Sequence, residues 1–274
     1  MFLVNYLIKY HHCKQYQAKH PQILLSYEKM EVTGNIPRTK VEYYAQANLG
    51  GYIPKRFINR QVTGTLSHVS EIKRKFDKSA EIDSASRHAL LPGINEIQEY
   101  SPQETLQLDE GLARLESFDK LLHRKDAPSA SPLATCQIAL LEGERNAYGR
   151  SSTVVRASPQ EIIAYQWDFM ARHLRSANTI NKKVIEEVNS HNKLLYMVKV
   201  IPRAKNRDFV VRYCWKKMND GSYVFVATPQ NHDDYPENTG DLVRLRPQIT
   251  LKMTRIRNHE TQIEYLIHMD VGGT

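Results

Sequence analysis

A chain of 274 residues has room for one large domain or two ordinary ones. Its 41% apolar, 9% aromatic and 25% charged residues lie in the globular range and exclude a wholly disordered, collagen-like or disulfide-rich protein. Thirty-eight Lys and Arg against 30 Asp and Glu leave a net charge of +8, which permits attraction to an anionic membrane or nucleic acid and establishes neither.

Uninterrupted apolar runs are only a few residues long, as at 223–227, against the roughly 20 needed to cross a bilayer. No membrane-spanning helix is expected. Residues 1–8 are apolar apart from Asn5 but lack a basic leading region and a small-residue cleavage site, so a signal peptide is not expected and the chain is read as cytoplasmic, with room for peripheral attachment to membranes. Cys13, Cys136 and Cys214 lie too far apart for a disulfide framework or a zinc knuckle.

In chain order, the first clear unit is a strand beginning at Thr39 and ending in Gly50-Gly51. It recurs at an offset of 222 residues: Thr39, Glu42, Tyr43, Gly50 and Gly51 return as Thr261, Glu264, Tyr265, Gly272 and Gly273, and Val41 is matched by Ile263. Behind the first copy, Ile58, Val62, Leu66, Val69, Ile72 and Phe76 recur at steps of three or four, widened by Phe57, which predicts an amphipathic helix over 53–78. Periodicity then fades, and Pro92-Gly93 marks 81–100 as a linker.

A second helix is predicted over 101–124, opened by Ser101-Pro102 and carrying an apolar side from Leu106 to Leu122. Strands follow at 135–142 and 148–157. Ser158-Pro159-Gln160-Glu161 caps a short helix through about Met170. The remainder reads as an antiparallel meander, with strands at 184–188, 193–201, 208–217, 223–228, 242–257 (broken near Pro247) and 262–269, several joined by tight polar turns such as Asn219-Asp220-Gly221-Ser222.

Four stretches give this order a familiar look. They are Val-Arg-Ala-Ser-Pro-Gln-Glu-Ile-Ile-Ala-Tyr at 155–165 with Trp167-Asp168, then Arg207-Asp208-Phe209-Val210 with Trp215, then Tyr-Val-Phe-Val-Ala-Thr at 223–228, and the strand with its Gly-Gly pair. Together they resemble the START family, the lipid-transfer domains related to steroidogenic acute regulatory protein, within the Bet v 1-like helix-grip superfamily. The resemblance implies an α+β helix-grip fold, in which a curved antiparallel sheet clasps a long amphipathic helix around an apolar cavity. It divides the chain into the C-terminal strand and helix of a preceding START-like domain at 1–80, a linker at 81–100, and a START-like domain lacking its terminal helix at 101–274. That arrangement reads as a fragment of a tandem array, either a truncated gene product or a circularly permuted domain.

The function so implied is non-catalytic binding or transfer of a lipid or sterol, because a sheet gripping a helix leaves a dry space that apolar side chains line. Candidates for the inner face are Tyr196, Val198, Phe209, Val211, Tyr213, Trp215, Tyr223, Phe225, Leu251, Met253, Tyr265 and Ile267, with Arg212 on the alternate face. A register slip of one residue would invert this set. Phe57, Val62 and Leu66 are expected to face the same cavity from the 53–78 helix, packed across the open sheet as a permuted lid whose basic side meets solvent or an anionic membrane.

Other chemistries leave weaker traces. His11, His12 and His20 near Cys13, and His232-Asp233-Asp234, have no recognised metal-ligand spacing, and no phosphate loop, nucleophile elbow or HExxH motif is present. No metal or cofactor is expected. A cyclase-like enzyme using His191, His268, Asp270 or Glu264 is one alternative, and a ligand-free interaction scaffold is another. Basic residues do not interleave with aromatics in a nucleic-acid-binding motif, so that partner is not expected; the oligomeric state is left open.

Overall fold

The computed structural model describes residues 22–30, 38–46, 67, 70–72, 74–140, 147–171, 178–237 and 239–270. The chain divides into two compact units, Met1–Lys78 and Ser79–Thr274.

In the first unit, β1 (Gln22–Met30) and β2 (Arg38–Gln46) form an antiparallel pair with Leu25 opposite Tyr43. Of the helix expected over 53–78, residues 67, 70–72 and 74–76 are helical. Phe57, Val62, Leu66 and Val69 lie outside the described residues.

The second unit opens with α1 (Ser79–Asn95) and α2 (Pro102–Ser117), followed by a 3-10 turn at Phe118–Lys120. Strands β3 (Arg124–Asp126), β4 (Ala134–Leu140) and β5 (Ala147–Val155) lead into α3 (Pro159–Trp167). The meander then comprises β6 (Thr179–Asn189), β7 (Asn192–Lys199), β8 (Asn206–Lys217), β9 (Tyr223–Pro229), β10 (Leu242–Arg244), β11 (Arg246–Arg257) and β12 (Glu260–Asp270). These strands make one ten-stranded sheet in the order β3-β4-β5-β12-β11-β9-β8-β7-β6, antiparallel except where β10 runs parallel beside the start of β8. The α+β architecture expected from the sequence is the one observed.

Both α2 and α3 begin where the sequence dictates. Ser101 and Ser158 each accept the backbone N–H of the glutamate three residues on, Glu104 and Glu161, and each glutamate returns a bond to the serine N–H. Such a box satisfies two otherwise orphaned amides, and the proline at the first helical position loses nothing by lacking an N–H.

The stretch expected as a linker carries α1 instead. Pro92 sits within its last turn, where its missing N–H removes a single helical bond. Leu90, Leu91 and the buried Ile94 join a core containing Ile162, Ile163 and Trp167 of α3, and that burial outweighs the breaker signal. The break expected near Pro247 falls two residues earlier, at Leu245, whose N–H turns to the Asp208 carbonyl at 2.8 Å and so separates β10 from β11.

The two faces of the sheet are covered by different helices. On the outer face α2 lies so close that a Cβ at Gly111 would stand 2.4 Å from Val226 Cγ1. Thr250 Oγ1 donates to the Gly111 carbonyl there at 3.0 Å. Leu108 packs with Cys214, Val224 and Val226, and Leu115 and Phe118 pack with Ala139 and Leu266. On the inner face α3 meets Trp215, Tyr223, Phe225, Leu251 and Met253.

Candidate functional site

Strand register assembles the inner face row by row. One row runs Lys193, Tyr213, Ala227, Ile249, Ile267 and Gly149 across β7, β8, β9, β11, β12 and β5. The next holds Trp215, Phe225, Leu251, Tyr265 and Ser151. Because side chains alternate along a strand, every member of both rows leaves the sheet on the same side.

α3 seals only part of this surface. Under it Trp215, Tyr223, Phe225, Leu251 and Met253 are buried, all at 4% exposure or less. Around that core Tyr213, Ile249, Ile263, Tyr265 and Ile267 stay half-buried, the first four packed against it, and Gly149 and Ser151 extend the floor with almost no side chain. Aliphatic and aromatic carbon therefore remains partly open on the inner side of the sheet. Such a floor suits an apolar molecule lying along it.

The floor carries two neutral polar groups. Burial pushes the Tyr265 hydroxyl up to about 12, and burial, with the neighbouring Tyr265 adding to it, raises Tyr213 as well. Both phenols thus stay protonated at physiological pH, each able to donate or accept one hydrogen bond. Phe225 and Phe169 hold the Tyr213 ring edge-on, at centroid distances of 4.8 and 6.0 Å.

At the end of the first row, Lys193 is buried at 4% exposure. Its ammonium donates to the carbonyl of Trp167, the last residue of α3, and lies 3.8 Å from the centroid of the Trp167 indole. Burial lowers its pKa to about 8, against the opposing pull of Glu187 and Asp168. A cation at a helix C-terminus meets the negative end of the helix dipole, so Lys193 fixes where α3 ends over the sheet.

The outer side holds a separate polar cluster that anchors α2. Asn192 and Asn189 donate to Glu104 Oε1 at 2.6 and 3.0 Å. Ser101 reaches the other carboxylate oxygen through both its backbone N–H and its hydroxyl. Burial alone would raise this carboxyl, but the bonds from Asn192, Ser101 and Asn189 prevail and hold it at about 2. His191 lies 3.5 Å from the same carboxylate.

Of the residues expected on the inner face, Phe209, Val211, Tyr213, Trp215, Tyr223, Phe225, Leu251, Met253, Tyr265 and Ile267 do share it. Tyr196 and Val198 do not. β7 pairs with β8 so that Asn192 stands opposite Cys214, and the even residues of β7 side with the even residues of β8. Tyr196 and Val198 pack on the outer face with Leu194 and Val210, and Tyr196 lies 4.3 Å from the Tyr235 ring. Leu195 and Met197 take their place inside, with Phe169 and Val211. Ala227, Ile249 and Ile263 were missed too, although strict alternation from Leu251 marks Ile249. Arg212 is on the outer side, where it donates to Asn192 Oδ1 at 3.0 Å.

The acid and base candidates also fall away from the floor. Glu264 accepts from Arg150 at 2.7 Å, and His268 stacks on Tyr148 at 4.2 Å, both on the even, outer side of β12. Asp270 continues that even series, and His191 belongs to the Glu104 cluster. Among the described residues no group of three or more His, Cys, Asp and Glu is placed to hold a metal ion. His11, His12, His20 and Cys13 lie outside them.

A curved antiparallel sheet with α2 behind it, α3 across part of its inner side and an apolar floor beside α3 has the helix-grip fold. Residues 147–274 match the family model of the START domain, so the family resemblance holds for that part of the chain. START domains are lipid-binding domains, and the match supports lipid binding in general. Among solved structures, human STARD10 is similar at 19% identity and a TM-score of 0.51, over 66% of this chain and 71% of that one. Human StAR-related lipid transfer protein 5 is similar at 14% identity and a TM-score of 0.51, over 64% and 86%. At these identities the likeness is one of fold. No curated protein sequence matches the chain.

Proposed function

We propose that the inner face of the sheet binds one lipid or sterol molecule non-covalently and that the chain carries it without chemical change. The half-open floor of Tyr213, Ile249, Tyr265 and Ile267 beside α3 supports this most strongly. It is apolar, bears uncharged phenols as its polar handles, and has the acid and base candidates on the opposite face or in the Glu104 cluster. Among the described residues no helix is long and apolar enough to cross a membrane. In this reading the protein meets membranes from outside, and its basic surplus of +8 favours anionic ones.

Uptake of fluorescent sterols and fatty acids by delipidated protein tests the proposal. Saturation at one ligand per chain is expected. Ile267→Trp, which places an indole on the floor, lowers affinity at least tenfold, whereas Ile256→Trp at an exposed position leaves it unchanged. No uptake across a broad lipid panel, or equal uptake by both variants, overturns the proposal.

A further inference from the structure

The β1–β2 hairpin repeats the β11–β12 hairpin in two independent ways. In sequence, Gln22, Ile23 and Leu25 return as Gln248, Ile249 and Leu251, an offset of 226 residues, and Pro21 returns as Pro247. The second strand repeats at an offset of 222, with Thr39, Glu42 and Tyr43 returning as Thr261, Glu264 and Tyr265. The four-residue difference lies in the turn.

Pairing supplies the second line. Applying the two offsets to the nine β1–β2 pairs carries eight of them onto observed β11–β12 pairs: Ile23↔Ala45 becomes Ile249↔Ile267, Leu25↔Tyr43 becomes Leu251↔Tyr265, and Tyr27↔Val41 becomes Met253↔Ile263. The ninth falls at the β-bulge beside the β11–β12 turn. Sequence offsets do not dictate register, and a slip of one residue would have broken all eight.

We infer that β1–β2 is the closing hairpin of a second sheet of the same kind, with Ile23, Leu25, Tyr43 and Ala45 at the register positions that form the lipid floor in β11–β12. Its role as lipid floor rests on the function proposed above; the equivalence of the hairpins does not. Each strand of β11–β12 has a further neighbour, β9 and β5, whereas among the described residues β1 and β2 make a two-stranded sheet. The outer face differs in the same sense. Tyr44, at the position of the buried Leu266, is 59% exposed. Among the described residues neither edge of the hairpin has a further strand; in the equivalent unit those neighbours are β9 and β5, and the helix over the outer face is α2.

A hairpin exchange within the full chain tests this. Residues 247–267 are replaced by residues 21–45, and amide exchange is read at β9 and β5, which stay protected only if the graft pairs with both. A second graft keeps Thr250 and Leu266, because both pack under α2. A control graft carries the first strand shifted by one residue. Equivalence predicts that β9 and β5 keep protection in the second graft within about tenfold of wild type and lose it in the control. Loss in both overturns the inference whatever the outcome of lipid uptake, since the readout is strand pairing.

Discussion

The pair of Asp208 and Arg244 offers the sharpest test of the packing. Arg244 Nε and Nη2 donate to the two carboxylate oxygens of Asp208 at 3.1 and 2.9 Å. Nη2 also donates to the Tyr235 carbonyl at 2.8 Å, and both side chains are buried to 4% or less. Arg244→Met leaves the carboxylate buried without its cation, which costs about 3–5 kcal/mol. In a unit of this size each kcal/mol lowers the thermal midpoint by about 2–4 °C, so the midpoint falls by about 6–20 °C. Arg244→Met combined with Asp208→Leu removes the stranded charge as well. Only the bond to the Tyr235 carbonyl then goes unreplaced, worth about 1 kcal/mol. Urea and thermal unfolding of the two variants measure the difference. A double variant no more stable than the single one would refute the reasoning, because it would place the loss in packing and not in the unpaired charge.

Two further outcomes follow from the outer face. Gly111→Ala gains about 1 kcal/mol of helix propensity but forces a Cβ onto Val226, so a net loss of about 1–2 kcal/mol is expected in thermal unfolding; a gain would show that α2 does not approach the sheet this closely. The Glu104 carboxyl is depressed in the folded chain, so its stabilisation is full above the unfolded value of about 4.3 and is lost as pH falls through about 2. Glu104→Gln should therefore be less stable than wild type at neutral pH yet lose less stability between pH 4.5 and 2, and parallel pH profiles would contradict the assignment.

The sequence disclosed most where local chemistry decides the structure. Ser101-Pro102-Gln103-Glu104 and Ser158-Pro159-Gln160-Glu161 announce their helices because each box is complete within four residues. The tight turn at 219–222 likewise fixes the register of β8 on β9, so Tyr213, Trp215, Tyr223 and Phe225 were placed together correctly. The sequence inverts β7 because its side chains are apolar on both faces from Leu194 to Val198, leaving no alternation to read; only its pairing with β8 decides the face. α1 was hidden for another reason. Its stabilising contacts, Ile94 and its neighbours against α3, join residues about 70 apart in sequence, and no local signal offsets Pro92-Gly93. Arg244 likewise finds Asp208 across 36 residues, a distance over which composition and periodicity say nothing.

The central claim is that a lipid lies on the inner floor of the sheet. A photoactivatable sterol or fatty acid, bound to the full chain, irradiated and mapped by peptide mass spectrometry, tests it most directly. Labelling concentrated at Tyr213, Ile249, Tyr265 and Ile267, and displaced by unlabelled lipid, is the predicted result. Labelling confined to the outer face around Tyr196 and Val198, or none that unlabelled lipid displaces, would contradict it.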